Sequence, residues 1–180
     1  MSPNLQLQTL QTAQSYVHEI LLAPVYDIAV QTSVEPLKGL SERLQNQIFV
    51  KREDEQPVHS FKLRGAFNKL VNLELSERQL GVVAASAGNH AQGLALSAKT
   101  LGVEATIVMP ETTPDIKVKA VHSHGGKVVL HGKSFDEAND YALSLARNKG
   151  LSYIHPFDDK DVIVGQGTVA KELLQQVRDL

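Results

Sequence analysis

In the stretch HSFKLRGAFNKL, residues 59–70, a lysine follows a serine by two positions and precedes an arginine by two. Phe61, Leu63, Phe67, Leu70 and Val71 are spaced to share one apolar stripe, so the pattern predicts a helix over 60–73 with Ser60 as its N-cap. Lys62 then falls in the first turn, where the helix end carries roughly half a positive charge and disfavours a cation. A residue that breaks a local rule without evident compensation is a candidate for function. An ordinary lysine amine, with a pKa of about 10.4, is a poor nucleophile near neutrality. The helix start, Arg64 if it points the same way, and apolar walls such as Phe61 would each favour the neutral amine. Such a lysine is suited to forming a Schiff base with a carbonyl. A solvated first-turn lysine with no chemical role fits the same residues, so the functional reading needs a second signal.

That signal lies in ASAGNHAQGLA, residues 85–95. Its small residues follow an apolar run and precede an alanine-rich helix, which places a strand-to-helix turn at the carboxyl edge of a parallel sheet, where ligands bind. Ser86, Ala87 and Gly88 leave backbone N–H groups uncovered at a helix start, a site for a carboxylate or phosphate. Asn89 can donate from its side chain, and His90 adjoins the turn without a paired nucleophile, as a residue that shapes the pocket. Gly88 as a turn glycine and Asn89 as an N-cap are the alternative. GQGT, residues 165–168, reads as a glycine turn entering an amphipathic helix, but it lacks the spacing of a dinucleotide or phosphate-loop signature. His122 and His124 point to different faces of a helix, and no HExxH pattern occurs, so no metal site is expected.

The elements that must position these residues alternate in the manner of an α/β fold. GVVAAS (81–86), ATIVMP (105–110), KVVLHG (127–132) and SYIHPF (152–157) are compact runs of the kind that form strands buried on both faces, and QIFVKRE (47–53) is a fifth. Thr113 and Pro114 start a helix that Gly125 stops; SFDE at 134–137 is a capping box for a helix ending at Gly150. Earlier, Tyr16 to Leu22 reads as a helix stopped by Pro24, and LKGLSERL as a second, shorter one.

Composition narrows the classes. With 180 residues, 42% hydrophobic, 21% charged and a net charge of −2, the chain reads as an ordinary globular protein. Interspersed charges without a basic stripe argue against nucleic acid, and no apolar run reaches the roughly 18 residues that span a bilayer. The absence of cysteine excludes disulfides and thiolate chemistry and suits a reducing, cytoplasmic setting.

Together, KREDEQPVHSFKLRGA (51–66) and ASAGNHAQG (85–93) resemble the pyridoxal-phosphate enzymes of the tryptophan-synthase-β fold, and among them the biosynthetic threonine ammonia-lyases. The resemblance extends to LLAPVYDIAV, IVMPETTPDIKVKAV and GQGTVAKELLQQ. It implies a three-layer parallel α/β fold, with 56–155 as the small domain and 1–55 plus 156–180 as parts of a large one. It implies pyridoxal 5′-phosphate as cofactor, with its aldehyde on Lys62, its 3-hydroxyl facing Asn89 and Phe61 beside its ring. The turn formed by Ser86, Ala87, Gly88, Asn89 and His90 would receive the substrate carboxylate. Ala87 occupies a position similar to a proton-handling serine of serine racemases, which implies elimination rather than racemisation. Threonine would displace Lys62, whose amine removes the α-proton before the β-hydroxyl leaves, giving 2-oxobutanoate and ammonia on the route to isoleucine. L-Serine is the alternative substrate, and a non-catalytic interaction module of the same fold is the alternative class. Family members continue into a glycine-rich phosphate loop and a regulatory domain, so this sequence is expected to be the N-terminal portion of a chain that is a homo-oligomer at full length.

Overall fold

The computed structural model describes residues 3–178, with side chains from residue 12 onward. The chain enters as α1 (Pro3–Leu22), which stops before Pro24, a residue unable to continue a helix. β1 (Val34–Pro36) and β2 (Phe49–Lys51) pair antiparallel, Val34 opposite Lys51, with α2 (Lys38–Leu44) between them. The expected strand at 47–53 is therefore present but belongs to this separate ribbon and not to the parallel sheet. Its three residues are exposed or half-exposed, as an antiparallel ribbon with one solvated face allows.

After α3 (Lys62–Asn72) and α4 (Leu75–Leu80), strands and helices alternate: β3 (Val82–Ala85), α5 (Asn89–Leu101), β4 (Ala105–Met109), α6 (Asp115–Ser123), β5 (Lys127–Leu130), α7 (Phe135–Lys149), β6 (Ser152–Tyr153) and α8 (Lys160–Gln176). The four later strands form one parallel sheet in the order β5-β4-β3-β6; the central β3 and β4 are buried as expected, whereas β5 and the two-residue β6 lie at the edges and are exposed or half-exposed. Alternation along β3 divides its side chains between two cores. Val82 and Ala84 pack with Leu94, Ala95 and Ala98 of α5, while Val83 and Ala85 pack with Ala138 and Ala142 of α7. A sheet between two helical layers results, as the buried runs require.

Two expected helix starts are realised, that of α6, with Pro114 as its N-cap, and that of α7, and two are not. Ser134 Oγ accepts the Glu137 N–H at 3.2 Å, and α7 ends at Gly150 in the left-handed conformation. Glu137 returns a bond to the Lys133 N–H, one residue earlier than a full capping box would have it. Ser60 is not the N-cap of α3. Phe61 holds that position, and Ser60 Oγ accepts the Lys62 N–H at 3.2 Å from one residue further out. Gly165 to Thr168 are not a turn: they lie inside α8, whose cap is Asp159, accepting from the Asp161 and Val162 N–H groups.

The glycines of α8 serve packing. A methyl group added to Gly165 would stand 2.5 Å from the Arg64 carbonyl oxygen and 2.7 Å from Gly65 Cα, so only glycine lets α8 cross α3 this closely. On the other side of α3, Gly93 of α5 makes a similar approach, 3.0 Å from Leu63 N and Lys62 C for an added methyl. α3 is thus held between α5 and α8. A buried ion cluster fixes it further. Arg64, wholly buried, bonds Glu53 at 2.8 Å and Glu172 at 2.5 Å, and Glu172 also takes Lys51 at 2.5 Å and the Tyr26 hydroxyl at 2.9 Å. Two cations and two carboxylates are balanced there, as buried charge requires.

Candidate functional site

Lys62 begins α3, and its Nζ donates to the Pro156 carbonyl at 2.8 Å, just beyond the end of β6. The amine is half-buried, and burial holds it below the usual lysine value. Its Nζ also lies 5.4 Å from the centroid of the exposed Phe61 ring. The expected neighbour Arg64 does not contribute. Two residues along a helix turn a side chain to another face, and Arg64 spends its guanidinium on Glu53, Glu172, Thr168 and the Val30 carbonyl. Desolvation, not charge repulsion from Arg64, therefore tunes this lysine.

β3 neighbours β6 in the sheet, so the turn after β3 opens at the same carboxyl edge as Pro156. Ser86 Oγ accepts the N–H groups of Gly88 and Ala91, both at 3.3 Å, which folds residues 86–91 into a tight start for α5. Gly88 is the N-cap but supplies no side chain, and a methyl group there would meet nothing within 4 Å. Of the three N–H groups expected to be uncovered, those of Ser86 and Gly88 are taken, by the Val108 carbonyl at 3.0 Å and by Ser86 Oγ, so what the turn offers an anion is the field of the helix start and the free space in front of it. Ala87 and Gly88 are half-exposed and Asn89 is exposed at its rim.

His90 faces the other way. It is buried, its Nε2 stands 3.2 Å from the Ile154 carbonyl, and its Nδ1 has no partner. Since a carbonyl only accepts, Nε2 carries the proton. Burial pushes its pKa down to about 4, so the ring is neutral near neutrality.

Of the residues expected from sequence, Lys62, Phe61 and the turn from Ser86 to His90 are thus gathered at one sheet edge, with the His90 ring turned inward. Sequence reasoning missed Pro156 and Ile154, which act through backbone carbonyls and leave no side-chain signature. It also missed Gly93, although a glycine within a helix costs about 1 kcal/mol relative to alanine and so signals a packing demand.

These residues fit a pyridoxal-phosphate-type group in two respects: a desolvated amine at a helix start, and a glycine cradle left open beside an anion-favouring helix end. Among the described residues, no helix is long and apolar enough to cross a membrane.

Comparison with known proteins agrees. The family model described as pyridoxal-phosphate dependent enzyme matches residues 25–180. A biosynthetic L-threonine dehydratase from Pasteurella multocida is 55% identical over 165 residues, covering 92% of this chain and 32% of that protein. A chloroplastic biosynthetic threonine dehydratase 2 from Solanum lycopersicum is 53% identical over 92% of this chain and 28% of its own length. The chain spans about a third of the length of the curated relatives it matches. In structure, the processed threonine deaminase isoform 2 of Solanum lycopersicum superposes with a TM-score of 0.91 at 51% identity, covering 94% of this chain and 47% of that one. Maize serine racemase superposes with a TM-score of 0.86 at 33% identity, covering 92% and 50%.

Proposed function

Given that this chain belongs to the pyridoxal-phosphate-dependent enzymes, we propose that it carries the lysine and carboxylate-binding parts of a site that converts L-threonine to 2-oxobutanoate and ammonia. The observation that carries the reading is the desolvated Lys62 amine on the Pro156 carbonyl, at the same sheet edge as the open turn at Gly88. The threonine dehydratases and deaminase similar to this chain support the choice of substrate. Pyridoxal phosphate, when bound, supplies an aldehyde for the amine and an electron sink for the substrate α-carbon.

The chain's own residues supply position and proton transfer. The Ser86 to Asn89 turn receives the substrate carboxylate at the start of α5, where the helix field favours an anion. Asn89, at the rim, and Phe61 would help to hold and orient the cofactor when it binds. Lys62 Nζ would accept the α-proton, and burial, which lowers its basicity, favours the neutral amine that this role needs. Ala87 offers no hydroxyl to return a proton from the opposite face, which favours loss of the β-hydroxyl over racemisation. L-Serine is the competing substrate. In this reading residues 56–155 form the small domain, 1–55 and 156–180 belong to the large one, and the full-length protein is a cytoplasmic homo-oligomer.

The test begins with the purified chain and pyridoxal phosphate, followed by borohydride reduction and peptide mapping. Label concentrated on Lys62, and absent from Lys62→Arg, is expected; label spread over surface lysines overturns the assignment. Joined to the C-terminal two thirds of a threonine dehydratase relative, the chain is expected to yield 2-oxobutanoate from L-threonine, and faster turnover of L-serine would reassign the substrate.

A further inference from the structure

The segment Ile154–Pro156 leaves β6 and is held from two sides. His90, in the first turn of α5, donates Nε2–H to the Ile154 carbonyl at 3.2 Å, and Lys62, at the start of α3, donates to the Pro156 carbonyl at 2.8 Å. Only His155 separates the two acceptors along the chain. The two helices themselves touch at Gly93, whose missing side chain lets α5 lie against the Lys62–Leu63 backbone. Helix α5, the exit of β6 and the head of α3 therefore form a closed circuit, with His90 as its only side-chain link to the strand exit on the α5 side among the hydrogen bonds described.

We propose that His90 is a positioning residue for Lys62: by fixing the Ile154 carbonyl it sets where the Pro156 carbonyl stands, and through it where the Lys62 amine rests. This deepens the reading given above and rests on it for the purpose of the circuit, but not for its geometry. Three features support the assignment. The ring is 3% exposed, so it cannot exchange its carbonyl partner for water. Its Nδ1 lacks a partner, so a single hydrogen bond fixes the imidazole and that bond goes to the strand exit. Burial first, and then the charges of Lys62 and His155, oppose its protonation, and the ring stays a neutral donor at working pH. A donor in this place need not touch substrate or cofactor to influence them, because it acts on the acceptor of the reacting amine.

The experiment compares the chain with His90→Leu, His90→Asn and His90→Gln. Gln places an amide N–H near the Nε2 position and can reach the Ile154 carbonyl; Asn stops near Nδ1 and cannot. Trace acetylation, with the Lys62 peptide quantified by mass spectrometry across pH, reports the reactivity of the amine without any cofactor. Pyridoxal phosphate with borohydride reports the fraction of label on Lys62. Losing the anchor is expected to admit water to Lys62 and raise its titration midpoint by about one pH unit, leaving about tenfold less free amine near neutrality. His90→Leu and His90→Asn should both show this, together with a corresponding loss of selective labelling, while His90→Gln stays within about twofold of the parent chain. If His90→Leu does not fold, judged by circular dichroism, the Asn and Gln pair decides. Equal acetylation profiles for the parent chain and a folded His90→Asn overturn the proposal, as does a His90→Gln as impaired as His90→Asn. If the parent chain takes no pyridoxal phosphate on Lys62, the cofactor reading fails, and the acetylation profiles still decide the role of His90.

Discussion

Substituting alanine for three glycines, one at a time, separates packing from binding at this site. At Gly165 the added methyl would lie 2.5 Å from the Arg64 carbonyl oxygen and 2.7 Å from Gly65 Cα. Carbon contacts normally settle near 3.5–4.0 Å, so α8 must move off α3 by about 1 Å. Both obstacles are backbone, so no side-chain rotation relieves them. Overpacking of this kind costs about 3 kcal/mol, offset by about 1 kcal/mol from alanine's better helix propensity, for a net loss near 2 kcal/mol. At Gly93 the nearest atoms are 3.0 Å away, a shortfall about half as large, and propensity offsets most of the cost; the expected loss is under about 1 kcal/mol. At Gly88 nothing lies within 4 Å, and stability should change by no more than about 0.5 kcal/mol. The methyl there instead projects into the open turn, so Gly88→Ala is expected to weaken substrate carboxylate binding while the fold stays intact. Urea titrations with a common slope give the ranking. A Gly165→Ala chain as stable as the parent would refute the close-crossing account, and a Gly88→Ala chain less stable than Gly165→Ala would refute the separation of roles.

Other outcomes follow from the buried groups. Glu172→Gln is expected to cost about 3 kcal/mol, because it leaves Arg64 and Lys51 short of a buried anion, and in a chain of this size that lowers the melting temperature by roughly 6–12 °C; a change under about 2 °C would show the cluster to be incidental. Although burial alone would raise it, bonding to Arg64, Lys51 and Tyr26 brings the Glu172 carboxyl below its usual value, so its contribution is present above the ordinary carboxylate range and lost as pH falls through the lowered native pKa. His90 acts over a different window. With its native pKa pushed down to about 4, the unfolded chain takes up the proton first as pH falls below about 6.5, and stability declines from there, by roughly 3 kcal/mol in all. Denaturation midpoints between neutrality and mild acid should fall less steeply for His90→Leu than for the parent chain, and equal slopes would contradict the buried, neutral ring.

The parallel sheet is readable in the sequence because its signal is local. Runs such as VVAA and IVM are apolar at every position, and only strands covered on both faces demand that. The starts of α6 and α7 and the stop at Gly150 are readable for the same reason, since caps are chosen within a few residues. The GQGT stretch misleads because glycine pairs punctuate turns locally, whereas here their absent side chains answer to α3 and to Ile20 of α1, far away in sequence. Arg64 misleads in a related way. Its spacing from Lys62 says only that the two differ in face, and the carboxylate that receives it, Glu172, is supplied by the last helix. Lys62 and the turn at Ser86 to Asn89 stand out because each breaks a local preference, while the Pro156 and Ile154 carbonyls could be found only in three dimensions.

The ion cluster around Arg64 also constrains how the chain is made. Arg64 lies 11 residues after Glu53 but 108 before Glu172. During synthesis from the N-terminus, Glu53 is the partner on hand, and the second carboxylate emerges only after the whole β3–β6 sheet has left the ribosome. Until then the head of α3 has one of its two anchors and lacks the glycine face of α8 against which it closes. Local pairing of the sheet strands can proceed meanwhile, since neighbouring β3, β4 and β5 follow one another in sequence. Lys62 therefore acquires its final setting only once α8 has emerged, after the turn at the same sheet edge, so a nascent chain that stops short of α8 does not present a finished amine to the aldehydes of the cell.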